Sequence, residues 1–186
     1  AWAASAPIAA QSSPGEISIE KPESELTPGE RKTLSIQYNS PPNADPQDIS
    51  YTLNYDNDKI TVTEQNAGDY LTEGGTLVAP NTINETTGTV ESGQIQFDRG
   101  NMADSGTVST ITIKLDDEYT GGETAKIEFE TAEVRSPDSI IPTTTSGASI
   151  SITVQESVSI TNTTVVPETV DSTQEYNITF DITDVS

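Results

Sequence analysis

Short runs in which apolar and polar residues alternate are the feature that most constrains the fold of this chain. The segment over residues 106–115 sets Val108, Ile111 and Ile113 among threonines and serines. A repeat of two places successive side chains on opposite faces of an extended strand, so each run predicts a strand with one buried and one exposed face. No segment of ten or more residues keeps the 3.6-residue repeat of a helix. The pattern therefore predicts an all-β protein.

About nine such runs precede Gln155, separated by Gly, Pro, Asn and Asp at the spacing typical of a β-sandwich or jelly roll. They cover residues 16–20, 33–38, 49–56, 59–65, 76–80, 88–98, 106–115, 125–134 and 148–154. We therefore predict three parts: an N-terminal arm or signal remnant over 1–15, a β-sandwich over 16–155, and a tail over 156–186.

The composition removes several classes of function. Thirty Asp and Glu against eight Lys and Arg give a net charge of −22, which excludes nucleic acid and anionic membranes as natural partners. The chain has no Cys and no His, which removes disulfides, thiol nucleophiles, the usual zinc sites and imidazole catalysis. No window of about 18 apolar residues is present, so no helix is expected to cross a bilayer. An enzyme is the least favoured class.

The acidic residues are spread along the whole chain, which makes the charge a property of the surface. At about 1 M salt the Debye length falls to roughly 3 Å and most repulsion between such charges is screened. The pattern is similar to that of proteins from salt-loving archaea, which is the leading interpretation. An ordinary secreted acidic protein and a calcium-rich surface protein are the alternatives, in that order.

Both ends of the chain carry apolar residues that a neighbouring sheet could accept. Trp2 and Ile8 lie in the arm, and the segment from Val158 echoes the opening strands from Ile17. The echo predicts the first strands of a second β-sandwich, and two strands alone are at best marginally stable in water. The tail, or Trp2 and Ile8 in the arm, would otherwise add to an open sheet edge of a neighbouring copy.

The middle of the chain resembles a cohesin domain. A strand ending in Tyr-Asp, a polar turn, a second strand and a Gly-Asp bend carry the likeness, followed by a Gly-initiated strand. The matching residues are Leu53, Tyr55, Asp56, Ile60, Val62, Gly68, Asp69, Leu71, Gly106, Val108, Ile111 and Ile113. The resemblance spans roughly residues 16–155.

Resemblance to cohesins implies a nine-stranded jelly-roll β-sandwich, secreted or attached to the cell surface, that binds a dockerin module through one sheet face without catalysis. Carried over by position, the implied partner-binding residues are Asp48, Ser50, Gln94, Gln96, Thr110 and Thr112. Cohesins often have Asn and Asp at the first two of these places. The departure at Asp48 and Ser50 puts the usual dockerin partner in doubt.

Acidic turns and glycosylation triplets complete the candidate sites. Asp56 and Asp58, or the run 116–118, have oxygen ligands suited to calcium, but turn formation explains both and no calcium-binding motif is present. We therefore expect no metal and no cofactor. The Asn-x-Thr triplet of N-glycosylation occurs at Asn84, Asn162 and Asn177.

Two functions compete for this chain. The first is an extracellular, non-catalytic protein-recognition module that binds a dockerin-type or other surface protein. The second is a structural subunit of an archaeal surface filament or surface layer, a homopolymer assembled by β-strand addition from the terminal segments.

Overall fold

The computed structural model describes residues 13–71, 76–78, 81–97, 104–120 and 124–153, which form β-strands and no helix. The strands are β1 (Gly15–Ile19), β2 (Arg31–Asn39), β3 (Asp48–Tyr55), β4 (Ile60–Ala67), β5 (Thr76–Val78), β6 (Thr82–Asn84), β7 (Thr89–Gln96), β8 (Ser105–Leu115), β9 (Ala125–Arg135), β10 (Ile140–Ile141), β11 (Thr143–Ser146) and β12 (Ala148–Ile150). Within these residues, no helix of the length and hydrophobicity that a membrane span requires occurs.

The strands form two sheets. The first sheet has the order β11-β1-β2-β8-β4, and the second has the order β10-β9-β3-β7-β5, with β12 beside β9 and β6 beside β7. Neighbouring strands are antiparallel except β1 and β11, which run parallel with Gly15 opposite Thr143. The sheets therefore form a β-sandwich, as the alternating pattern predicts.

The core lies between the two sheets and is built from the apolar residues of the alternating runs. Ile111 and Ile113 of β8 and Leu53 of β3 are fully buried, together with Leu34 and Ile36 of β2. Threonines, serines and charged residues between them face outward, so one pattern produces both the core and the surface.

One glycine of the cohesin pattern has a steric role. The N–H of Gly68 donates a hydrogen bond to the carbonyl oxygen of Val108 at 2.7 Å. A Cβ at position 68 would lie 2.0 Å from the carbonyl oxygen of Thr107, so any other residue would force the bend after β4 away from β8.

All nine predicted strands are present, and the predicted all-β sandwich is confirmed. The described residues contain three further short strands, β6, β10 and β11, which the sequence analysis missed. The predicted arm over 1–15 enters the described part only at residues 13–15, where Gly15 already belongs to β1. The second sandwich predicted over 156–186 lies outside the described residues.

Candidate protein-binding face

The outer surface of the second sheet gathers the outward side chains of β9, β3 and β7, and we call it the β3 face. On β3 the burial alternates, so that Ile49, Tyr51 and Leu53 point into the core while the residues between them face outward. The outward residues of the three strands are Asp48, Ser50, Thr52 and Asn54 on β3, Lys126, Glu128, Glu130, Thr131, Glu133 and Arg135 on β9, and Thr89, Glu91, Gly93 and Ile95 on β7.

Carboxylates dominate the charge of the β3 face. Asp48, Glu91, Glu128, Glu130 and Glu133 stand against only Lys126 and Arg135. The Nε of Arg135 donates to Oε1 of Glu133 at 2.5 Å, which offsets part of the negative charge at one end. The face is therefore suited to a partner with basic residues.

Asp48 is a half-buried charged residue of the face. Partial burial raises the pKa of its carboxyl; the Arg135 guanidinium acts in the opposite direction, and the Glu133 carboxylate raises the pKa further. A basic group from a partner would favour the ionised form of Asp48. A cationic contact at this position would therefore offset the destabilisation of that carboxylate by burial and by Glu133.

One end of the β3 face exposes large apolar side chains. Register places Ile140 of β10, Arg135, Asp48 and Ile95 in one cross-strand row. Ile140 is 58% exposed, Ile95 37%, and Phe97, just past the end of β7, 64%. We call Ile95, Phe97 and Ile140 the apolar end. Arg135 and Asp48 lie between Ile140 and Ile95 in this row, and exposed apolar side chains beside charged ones are typical of a protein-binding surface.

A shallow groove of about 310 Å³ opens beside the apolar end. Its walls are the two proline-containing loops over residues 41–45 and 136–142, and Ile140 lines it. The apolar end thus continues from the sheet onto a concave loop surface.

The structure places the six predicted partner-binding residues in three different environments. Asp48 and Ser50 lie on the β3 face and point outward. The prediction that Gln94 and Gln96 join them is wrong, because their side chains are only 1% and 3% exposed and point between the sheets.

A hydrogen bond in the interior explains why Gln94 faces inward on β7. Nε2 of Gln94 donates to the carbonyl oxygen of Val108 on the opposite sheet at 2.6 Å. A second bridge joins the hydroxyls of Tyr51 and Ser109, and Nε2 of Gln65 donates to the Tyr51 hydroxyl at 3.0 Å. These residues connect the two sheets and do not meet a partner.

Thr110 and Thr112 lie on the other sheet. Both belong to β8, whose neighbours are β2 and β4, and they face outward from the first sheet. Thr112 is occupied there, because its hydroxyl hydrogen-bonds that of Thr33 at 3.2 Å. The prediction that Thr110 and Thr112 share one sheet face with Asp48 and Ser50 is therefore wrong.

The residues that surround Asp48 on the β3 face are not among those predicted from the sequence. Glu133 and Arg135 come from β9, and Ile95 and Phe97 from the end of β7. The sequence carries one signal for them: Ile95 and Phe97 are two residues apart and out of step with Val90, a buried apolar residue of the same strand. Apolar residues on both faces of one run indicate a strand with an exposed apolar surface.

The remaining candidate residues divide between the described and the undescribed parts of the chain. Trp2, Ile8, Asn162 and Asn177 lie outside the described residues. Asn84 is exposed at the end of β6. Within the described residues, no three acidic side chains group in a way that would hold a metal ion.

The acidic turns have structural partners of their own. Oδ2 of Asp56 accepts a hydrogen bond from the backbone N–H of Lys126 at 3.0 Å and lies 3.6 Å from Nζ of Lys59. Oδ1 of Asp116 accepts from the N–H of Glu118 at 2.9 Å. Both carboxylates stabilise the ends of strands.

Comparison with known proteins gives structural matches only. No protein-family model matches the sequence, and no curated protein matches it. The third ScaC cohesin of Acetivibrio cellulolyticus, solved in complex with the ScaB dockerin, is similar with a TM-score of 0.61 and 19% identity over 74% of this chain and 98% of that one. The cohesin of a cohesin–dockerin complex from Clostridium thermocellum is similar with a TM-score of 0.62 and 13% identity over 80% and 99%.

An archaeal protein is among the matches. A non-cellulosomal cohesin from Archaeoglobus fulgidus is similar with a TM-score of 0.60 and 13% identity, covering 77% of this chain and 94% of that one. The matches cover 94–99% of each solved domain but only 74–80% of this chain. The described sandwich therefore has the cohesin fold.

Proposed function

We propose that this chain is a non-catalytic, extracellular protein-recognition module that binds a dockerin-type partner through the β3 face. The observation that carries the proposal is the apolar end, where Ile95, Phe97 and Ile140 are exposed beside Asp48 and Arg135 on an otherwise acidic sheet. Exposed apolar anchors with a polar rim are the usual composition of a protein interface.

Two structural matches support the class of partner. The ScaC cohesin was solved with a dockerin, and so was the Clostridium thermocellum cohesin. For this chain the acidic β3 face calls for a partner surface that carries Lys or Arg around an apolar side chain. Asp48 and Ser50 differ from the residues common in cohesins, so the partner differs in its contacts at that end of β3.

Composition supports the proposed location. An acid-rich surface is suited to molar salt. We place the protein on the surface of, or secreted by, a salt-loving archaeon. The absence of His and Cys supports recognition without catalysis, because the commonest acid–base and nucleophilic side chains are missing.

The test measures binding of purified dockerin modules from the source genome to the full chain, by calorimetry in molar KCl with calcium present. Ser50→Arg and Ile95→Arg place a positive charge on the β3 face, where it would repel a basic partner. Each is expected to weaken binding at least tenfold, about 1.4 kcal/mol. Thr110→Arg is the matched control on the outer face of the first sheet and is expected to leave the Kd unchanged.

Two outcomes would overturn the proposal. One is that no dockerin module binds the unmodified chain. The other is that Thr110→Arg weakens binding as much as Ile95→Arg while both variants keep the circular dichroism of the folded protein.

The second candidate is a subunit of a surface filament or surface layer, in which terminal segments add to a neighbour's sheet. One observation favours it: β4 pairs with β8 only, so among the described residues its other edge has no partner strand. Size exclusion in molar salt separates the two functions. Polymers that disappear when residues 1–15 are deleted support the filament, and a monomer supports the recognition module.

A further inference from the structure

Asn84, the last residue of β6, begins an Asn-Glu-Thr triplet in an exposed turn. We propose that Asn84 carries an N-linked glycan and that this glycan covers one edge of the β3 face. The triplet alone is a weak signal in a chain rich in Thr. Three structural observations make it specific: the orientation of the side-chain amide, the support of the turn, and its position on the sheet.

The first observation is how the Asn84 amide is held. Its Oδ1 accepts hydrogen bonds from the backbone N–H groups of Thr86 at 3.1 Å and Thr87 at 3.2 Å. The described hydrogen bonds of this exposed side chain use Oδ1 alone, and none of them engages Nδ2, the atom that a glycan joins. Two donors on the carbonyl oxygen also polarise the amide, which makes the Nδ2 proton easier to remove.

The second observation is that hydrogen bonds from a neighbouring turn hold this turn in place, while the turn itself stays exposed. Nδ2 of Asn57 donates to the carbonyl oxygens of Glu85 at 3.0 Å and Thr86 at 3.1 Å. Gly88 closes the turn at a φ of 67°, where a Cβ would lie 2.6 Å from the carbonyl oxygen of Tyr55. The turn therefore holds the acceptor residue in one exposed arrangement.

The modification forms a bond between Nδ2 of Asn84 and the anomeric carbon of a sugar delivered on a lipid phosphate. The bond from that carbon to the phosphate oxygen breaks, the lipid phosphate leaves with the electron pair, and Nδ2 loses one proton to the transferase. The donor is a lipid-linked oligosaccharide, and nothing is oxidised or reduced.

The third observation is position, and its consequence for docking rests on the proposed function. Asn84 pairs with Thr89, which pairs with Asn54, so Asn84 stands at the end of the sheet away from Ile95 and Phe97. A glycan there shields the β6 edge and leaves the apolar end open. A partner is then directed to the end of the β3 face that carries Ile95.

The experiment maps glycopeptides by mass spectrometry on the full chain, secreted from its native host. The wild-type chain and the Thr86→Ser variant, which keeps the acceptor triplet, are both expected to carry a glycan on Asn84. Asn84→Gln and Thr86→Val are expected to lose it. An unmodified Asn84, with or without glycans on Asn162 and Asn177, would overturn the inference.

A matched control tests the argument from the amide orientation. Lys59→Thr creates a second triplet, beginning at Asn57, in the adjacent exposed turn. Because Nδ2 of Asn57 is engaged in two hydrogen bonds, this asparagine is expected to stay unmodified. A glycan on Asn57 in this variant would contradict the argument. Mass spectrometry detects a glycan at either site without any binding partner. The result therefore does not depend on whether the chain binds a dockerin.

Discussion

At the scale of single residues, the predicted partner-binding side chains of β3 and β7 differ in whether they face solvent or the interior of the sandwich. Asp48 and Ser50, which the resemblance to cohesins implies as partner-binding residues, lie on the outward face of β3, where burial alternates along the strand. Gln94 and Gln96, which the same resemblance implies, point between the sheets instead. Only the carbonyl of Val108 across the sheets makes the inward position of Gln94 favourable, and the sequence does not show that contact.

Tyr70 makes the stability of the protein sensitive to alkaline pH. Burial raises the pKa of Tyr70 to about 12, above its ordinary value of 10.0. The folded state therefore keeps the phenol proton that the unfolded state loses, and stability present below pH 10 is lost as the pH rises toward 12. For this shift, the loss is about 2 to 3 kcal/mol.

The measurement is the free energy of unfolding from denaturant titrations at several pH values from 9 to 12 in molar salt. Tyr70→Phe has no proton to lose and is expected to show a shallower decline over this interval. If the free energy of unfolding falls equally steeply with pH in the variant and the wild-type chain, Tyr70 does not contribute to the pH dependence of stability.

At the scale of elements, β8 shows what alternation predicts and what it leaves open. Its clean pattern predicted the strand and its buried residues Ile111 and Ile113. An extra residue at Val108, where Ile36 faces Ser109 and Gln37 faces Thr107, turns both Val108 and Ser109 inward. The neighbours of β8 are β2 and β4, which alternation along β8 cannot identify, so the prediction that Thr110 and Thr112 share a face with Asp48 was wrong.

The three missed strands are short and lack the signal that identifies the others. β10 and β11 are separated by Pro142, and β11 consists of three threonines and a serine, which contain no apolar alternation. β6 has three residues before a turn. Pairing with β9, β1 and β7 makes these segments extended, which is a tertiary effect.

The central position of β8 gives a test of the core. Ile113→Ala is expected to lower the free energy of unfolding by about 2 to 5 kcal/mol, because Ile113 is fully buried between the sheets. Thr110→Ala on the outward face of the same strand is expected to cost less than about 1 kcal/mol. Denaturant titration of both variants checks the difference, and equal costs would show that the side of β8 toward the second sheet is not the packed one.

At the scale of the whole molecule, charge and fold are separate properties of the sequence. The sandwich follows from alternation, and the net charge of −22 follows from what occupies the outward positions. Within the described residues, ion pairs such as Lys59 with Asp56 and Lys114 with Asp117 lie at the partly exposed surface. Eight basic residues cannot neutralise thirty acidic ones, so repulsion remains in dilute buffer.

The melting temperature is therefore expected to rise between dilute buffer and molar KCl, as the Debye length falls to roughly 3 Å. Differential scanning calorimetry at several salt concentrations measures it. Sodium chloride at the same ionic strength serves as the control and is expected to act similarly, because screening depends on ionic strength. A melting temperature independent of salt would remove the halophilic interpretation.

The parallel pairing of β1 with β11 determines how early the first sheet can be completed during folding. The hydroxyl of Thr144 donates to the carbonyl of Gly15, a residue 129 positions earlier in the chain. During synthesis, β1 must wait for almost the entire domain to emerge before its second neighbour exists, and such distant closures make folding slow.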